Sequence, residues 1–139
     1  IIVEQGGDID KLMGDKILGI FEAEGGKAEA ARQEAIGAAQ KIMQAEQARE
    51  LPFPVAIGVN AGEVISGMLG FGNKRDFTVI GDAVNVSARI EKEAEKMPGQ
   101  RCLFSHDFVS GLSDTSSFKL HSEAALKGKS ATLKLYRLT

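Results

Sequence analysis

The sequence has no tryptophan, one tyrosine, one cysteine and three prolines. A single cysteine cannot form a disulfide framework within the chain. Cys102 instead stands in the apolar run Arg101-Cys102-Leu103-Phe104, which reads as a buried strand, so a core thiol is expected. No apolar stretch approaches the roughly 20 residues that cross a bilayer, and the N-terminus has neither the basic region nor the cleavage pattern of a secretory leader. Charge of one sign is also missing: 17 Lys and Arg face 19 Asp and Glu, for a net charge of −2. That balance makes no electrostatic case for nucleic acid or an anionic membrane as the main partner. Repeats and low-complexity tracts are absent. A domain held in a reducing, cytoplasmic compartment is the expectation, with a membrane or regulatory region upstream compatible with it.

With 139 residues, 43% of them hydrophobic, the chain suffices for one domain with a single core over residues 1–139. Its start, Ile1-Ile2-Val3-Glu4-Gln5-Gly6-Gly7, is an apolar run ending in a glycine pair, the pattern of a helix terminus. Without an initiating Met, it suggests a piece cut from a longer polypeptide.

Residues 8–13 alternate polar and apolar, Gly14-Asp15 is a turn, and residues 16–21 resume with Ile17, Leu18 and Ile20; this reads as a β-hairpin. After Gly25-Gly26, residues 27–50 are rich in Ala, Gln, Glu and Lys, with Ala35, Ile36, Ala39, Ile42 and Met43 at helical spacing. Pro52 and Pro54 end that helix and lead into a strand over residues 55–59. A second hairpin is expected to turn at residues 60–63 and return over residues 64–69. Residues 77–80 form a short strand closed by Gly81-Asp82, with Asp82 as N-cap of a helix carrying Val86, Ile90 and Met97 on one face. After Pro98-Gly99 come a strand at 101–104, a short helix at 106–112 and a strand pair at 118–126 and 133–138. Hairpins mixed with two substantial helices predict an α+β sandwich, an antiparallel or mixed sheet with helices over one face.

Asp15 falls at the tip of the first hairpin, where a carboxylate projects past the sheet edge and glycine lets backbone approach a phosphate. Alone, a Gly-Asp hairpin is ordinarily just a turn. Asn85 and Arg89, spaced i, i+4, share one flank of the second helix beside its apolar face. That is either an exposed polar surface or the means to position a ribose and an anionic phosphate. Lys127-Gly128-Lys129 places two cations in a turn that can meet a polyphosphate or simply face solvent. His106 and His121 lack partners at metal-ligand spacing and read as structural or surface residues.

Three segments taken together narrow the choice. The stretch from Gly7 through Asp8-Ile9-Asp10-Lys11-Leu12-Met13-Gly14-Asp15-Lys16 to Phe21, then Gly58-Val59-Asn60-Ala61-Gly62-Glu63-Val64-Ile65-Ser66-Gly67, then Asp76-Phe77-Thr78-Val79-Ile80-Gly81-Asp82-Ala83-Val84-Asn85-Val86-Ser87-Ala88-Arg89-Ile90, strongly resembles the class III adenylate/guanylate cyclases in order and spacing. The resemblance continues to Leu126-Lys127-Gly128-Lys129 and Leu135-Tyr136. It implies a ferredoxin-like catalytic domain, working as a head-to-tail homodimer with ATP or GTP across the interface and two divalent cations, Mg²⁺ or Mn²⁺. Carried over by motif, Asp15 resembles the second of two metal-binding aspartates, and Lys11 and Thr78 resemble the purine-reading pair. Asn85 resembles the ribose-positioning asparagine, Arg89 the arginine that stabilises the pentavalent transition state, and Lys127 the lysine on the terminal phosphates.

Adenine offers an acceptor at N1 beside an amino donor. Lys11 only donates and a Thr78 hydroxyl accepts, so the pair favours ATP over GTP. The expected reaction is conversion of ATP to 3′,5′-cyclic AMP and pyrophosphate. A guanylate cyclase, or a non-catalytic cyclase-homology module for nucleotide binding or dimerisation, remains as an alternative. The family's domain opens with a strand bearing the first metal aspartate, followed by helices, and this chain joins the pattern after them. None of Asp8, Asp10 or Asp76 matches that motif. The fragment is therefore expected to be inactive by itself, with an uncovered central slot in its sheet that drives self-association or domain swapping.

Overall fold

The computed structural model describes residues 1–13, 15–23, 28–63, 65–69, 76–125 and 132–139. The opening residues make one helical turn closed by a Schellman arrangement: Gly6 N–H donates to Val3 O at 3.1 Å and Gly7 N–H to Ile2 O at 3.0 Å. Gly6 adopts a φ of +97°, a conformation that needs glycine. The chain then enters β1 (Asp8–Met13) and β2 (Lys16–Ile20), an antiparallel pair with Met13 opposite Lys16, as the alternating pattern predicts. The register shifts between Ile9 and Lys11, so Asp10 is the extra residue of a bulge.

Helix α1 (Ala28–Gln47) buries the spaced Ala35, Ile36, Ala39 and Met43 expected of an amphipathic helix. β3 (Ile57–Val59) follows, then β4 (Ile65–Leu69), β5 (Asp76–Ile80), α2 (Asp82–Ala94), β6 (Cys102–Ser105), the one-turn α3 (His106–Val109), β7 (Phe118–Ala125) and β8 (Thr132–Leu138). A four-stranded sheet runs in the order β3-β6-β8-β7, with β3 and β6 parallel and the other pairs antiparallel. No helix among the described residues is long and apolar enough to cross a membrane.

Three sequence expectations need correction. The second hairpin is not made by the strand before Asn60 and the strand after it. β3 pairs with β6, 45 residues on, and β4 instead pairs antiparallel with β5, Ile65 opposite Ile80. β3 is short and apolar and gains more from burial in the four-stranded sheet than from its sequence neighbour. Asp82 is the first helical residue rather than the N-cap; Gly81 takes the cap position with no side-chain bond, and the Asp82 carboxylate lies in the first turn, where the helix dipole favours an anion.

The helices also do not share one face. Along β6, Cys102 and Phe104 pack with α1 through Ala35, Ile36, Ala39 and Met43, whereas Leu103 packs with Ile90 and Ala94 of α2. Strand alternation sends these neighbours to opposite sides. All four residues of β6 are consequently buried, and burial pushes the Cys102 thiol up to about 12, as a core thiol should behave. On the α1 side, the Phe104 ring stands 5.1 Å from Phe118, edge to face, and 5.4 Å from Phe108.

Candidate active site

Helix α2 carries Asn85 and Arg89, and the sheet determines where that helix lies. β3 presents Ile57 and Val59 to the α1 side, leaving Gly58 to face α2. A methyl group at Gly58 would stand 2.6 Å from Ser87 O and would strike the Glu91 backbone nitrogen. Glycine here lets helix backbone sit directly on strand backbone. Ile90 and Ala94, both fully buried, lock the same helix face over Leu103 and Leu135. Asn85 and Arg89 remain exposed, one turn apart on the same side of the helix as their spacing predicts.

Asp15 occupies the turn between β1 and β2 and is exposed. The adjoining Lys16 ties this hairpin to α2 by an ion pair, Nζ to Glu91 Oε2 at 3.2 Å, two residues beyond Arg89. Burial, and then the neighbouring Glu95, push the Glu91 carboxyl above its ordinary range, while Lys16 works in the opposite direction. Lys11 lies in β1 opposite Leu18, Thr78 lies in β5 opposite Gly67, and those two strands lie against each other. The side chains of Lys11 and Thr78, and all of Lys127, fall outside the described residues. His106 and His121 are exposed; His106 Nδ1 stands 3.4 Å from the Tyr136 hydroxyl.

Sequence reasoning missed a polar relay beneath α2. Asn60 donates through Nδ2 to Ala83 O at 3.0 Å, and its Oδ1 accepts from Ser105 Oγ at 2.6 Å. Ser105, with no exposed surface, in turn accepts from the Phe108 backbone N–H at 3.1 Å and so caps α3. A cleft of 280 Å³ opens beside this relay, lined by residues including Asn60, Glu63, Asp82, Val86, Asp107 and Leu133. Asn60 lay inside the motif that carried the family resemblance, but its side-chain partners were beyond any local pattern.

A sequence profile of the adenylate and guanylate cyclase catalytic domain matches residues 11–139. The chain belongs to that family. Its catalytic-domain fold agrees with this assignment: the cyclase domain superposes on the crystal structure of the adenylyl cyclase CyaB from P. aeruginosa with a TM-score of 0.73 and 26% identity, covering 99% of this chain and 74% of that one. It also superposes on the guanylate cyclase domain of RhGC from Catenaria anguillulae, at TM-score 0.77 and 20% identity over 99% and 74% of the two chains, a likeness of fold. In sequence it is 34% identical over 148 residues to an adenylate cyclase of Anabaena cylindrica, covering 99% of this chain. The chain spans 29% of that protein's length.

Family membership implies a two-metal mechanism in general. The described residues do not by themselves fit such a site. Among them, no group of three or more His, Cys, Asp or Glu side chains comes together to hold a cation, and Asp15 stands exposed at its turn.

Proposed function

We propose that this cyclase domain serves an adenylate cyclase that converts ATP to 3′,5′-cyclic AMP and pyrophosphate at a homodimer interface. The observation that carries the reading is the arrangement of α2: Asn85 and Arg89 stand exposed on one flank of a helix whose opposite face is locked onto the sheet. In the reaction the ribose 3′-oxygen bonds to the α-phosphorus as its hydroxyl proton passes to solvent water, and the bond from that phosphorus to the β-bridging oxygen breaks, releasing pyrophosphate. Asn85 would hold the ribose by hydrogen bonding, presenting the 3′-oxygen in line. Arg89 would oppose the charge that accumulates on the α-phosphoryl oxygens, with donors placed before the reaction begins. Lys127 would bind the departing phosphates as a point charge.

Purine selection is assigned to Lys11 and Thr78. Their strands β1 and β5 lie against each other, which supports a shared subsite. An ammonium donor toward N1 and a hydroxyl acceptor for the 6-amino group match adenine and mismatch guanine. Asp15 is assigned to metal binding with Mg²⁺ or Mn²⁺, alongside carboxylates that the described residues do not supply.

The test is cyclic nucleotide formation from ATP and GTP with Mg²⁺ or Mn²⁺, using this chain alone and within any longer polypeptide its gene encodes. Preference for ATP that Lys11→Glu weakens or reverses is expected; an ATP preference indifferent to that change would sink the purine assignment. A second reading is a cyclase-homology module that binds nucleotide without turnover, which draws on none of Asp8, Asp10 or Asp76 matching the motif of the first metal aspartate. Saturable ATP binding with no cyclic product from either polypeptide would favour it.

A further inference from the structure

We propose that Asn60 is a positioning residue for Asn85 and Arg89, acting through the first turn of α2; this rests on the roles proposed above for those two side chains. Asn60 follows directly on β3, two residues after Gly58, and both meet α2, Gly58 at the backbone of Ser87 and Glu91 and the Asn60 amide at Ala83. Gly58 sets the depth at which the helix lies, by permitting backbone contact at Ser87 and Glu91. Ile90 and Ala94 hold the middle and the end of the helix by non-directional apolar packing, and the Asn60 amide adds a directional restraint at its first turn. Its Nδ2 hydrogen bonds to Ala83 O, the carbonyl two residues before Asn85.

The restraint is anchored at its other end. Asn60 Oδ1 accepts from Ser105 Oγ, which is fully buried where β6 meets α3. Since that hydroxyl proton is committed to Asn60, the Ser105 oxygen remains to cap the Phe108 N–H. Donor and acceptor directions along the relay are thereby fixed, including which end of the Asn60 amide faces the helix. Gly81 caps α2 without a side-chain bond, so no cap at the helix's own N-cap duplicates this restraint. A primary amide meets both demands, and so does a neutral imidazole, with one nitrogen donating and the other accepting. A carboxylate of the same shape accepts from Ser105 but sets an oxygen against the Ala83 carbonyl.

The experiment compares Asn60→Asp, Asn60→His, Asn85→Ala and Arg89→Ala in the cyclase assay, using the polypeptide that shows activity. Amide hydrogen exchange across α2 is measured on the same variants. Asn60→Asp is expected to lower kcat by about tenfold or more, as displaced catalytic groups do. Its KM should stay within about threefold, because ground-state binding is not what the relay supports. Asn60→His is expected to recover most of kcat. Val86 and Ser87 amides should exchange faster in Asn60→Asp while Ile90 and Ala94 keep their protection. Unchanged kcat in Asn60→Asp, when Arg89→Ala is strongly impaired, overturns the inference and leaves the site reading standing. If Arg89→Ala and Asn85→Ala keep full activity, or if no polypeptide is active, the site reading has failed. The exchange pattern then decides the relay alone, and uniform loss of protection along α2, or none, overturns it.

Discussion

The sheet around β6 and the hairpin of β1 and β2 carry the two halves of the proposed site in opposite ways. β6 is covered on both faces, α1 against Cys102 and Phe104 and α2 against Leu103, so the helix bearing Asn85 and Arg89 inherits the rigidity of the core. The hairpin bearing Lys11 and Asp15 leaves Leu12 and Ile17, which face each other across the ladder, 70% and 58% exposed. Among the described residues β2 is paired only with β1, and β3 only with β6. The comparison teaches that the groups proposed for the transition state are built on the packed core, whereas those proposed for metal and base recognition sit on a ribbon held by less burial. The Lys16–Glu91 ion pair spans the two regions.

Core truncation should separate them most clearly. Phe104→Ala is expected to cost about 3–5 kcal/mol, since the ring is fully buried between Phe108 and Phe118. Ile17→Thr on the hairpin should stay within about 0.5 kcal/mol. Chemical denaturation reads both; comparable losses would erase the proposed distinction. Next comes Gly58→Ala, whose added methyl group meets backbone rather than a flexible side chain. It should destabilise by about 1–3 kcal/mol through overpacking. A melting temperature unchanged from the parent would mean that α2 does not rest on β3 so closely.

The smallest effect concerns the link. Glu91 has its carboxyl pKa raised in the folded state, so between the ordinary value of 4.5 and the folded value the native state holds more protons than the unfolded one. Stability attributable to this group is present below that interval and falls as pH rises through it. Glu91→Gln should flatten the pH dependence of stability just above 4.5, measured by denaturant titration at successive pH values. A steeper fall in the variant would reverse the sign assigned to burial at this site.

Much of the architecture was legible in local pattern. Alternation marked the first hairpin, 3.6-residue spacing marked α1 and α2, and the glycine pair at Gly6-Gly7 foretold a helix terminus that the Schellman bonds display. The i, i+4 spacing of Asn85 and Arg89 put both on one side of α2, and both are exposed there. The pairing of β3 was not legible: Asn60-Ala61-Gly62-Glu63 resembles a hairpin turn, and only competition with the distant β6 reveals otherwise. Asp82 was misread as a cap because an aspartate at the first helical residue and one at the cap give the same local sequence.

The sequence by itself determined the order and kind of most elements, the membership of the cyclase family and the chemical types available to a nucleotide. Those depend on periodicity, capping and motif spacing, which act over a few residues. Tertiary structure decided which edges pair, which helix covers which face, and how α2 is held. Ser105 and Asn60 are 45 residues apart and Asn60 and Ala83 are 23 apart, so their bonds exist only after the sheet has assembled. Hydrophobic burial selects that assembly among many compatible with the local pattern, and buried polar groups must then find partners wherever the fold has placed them.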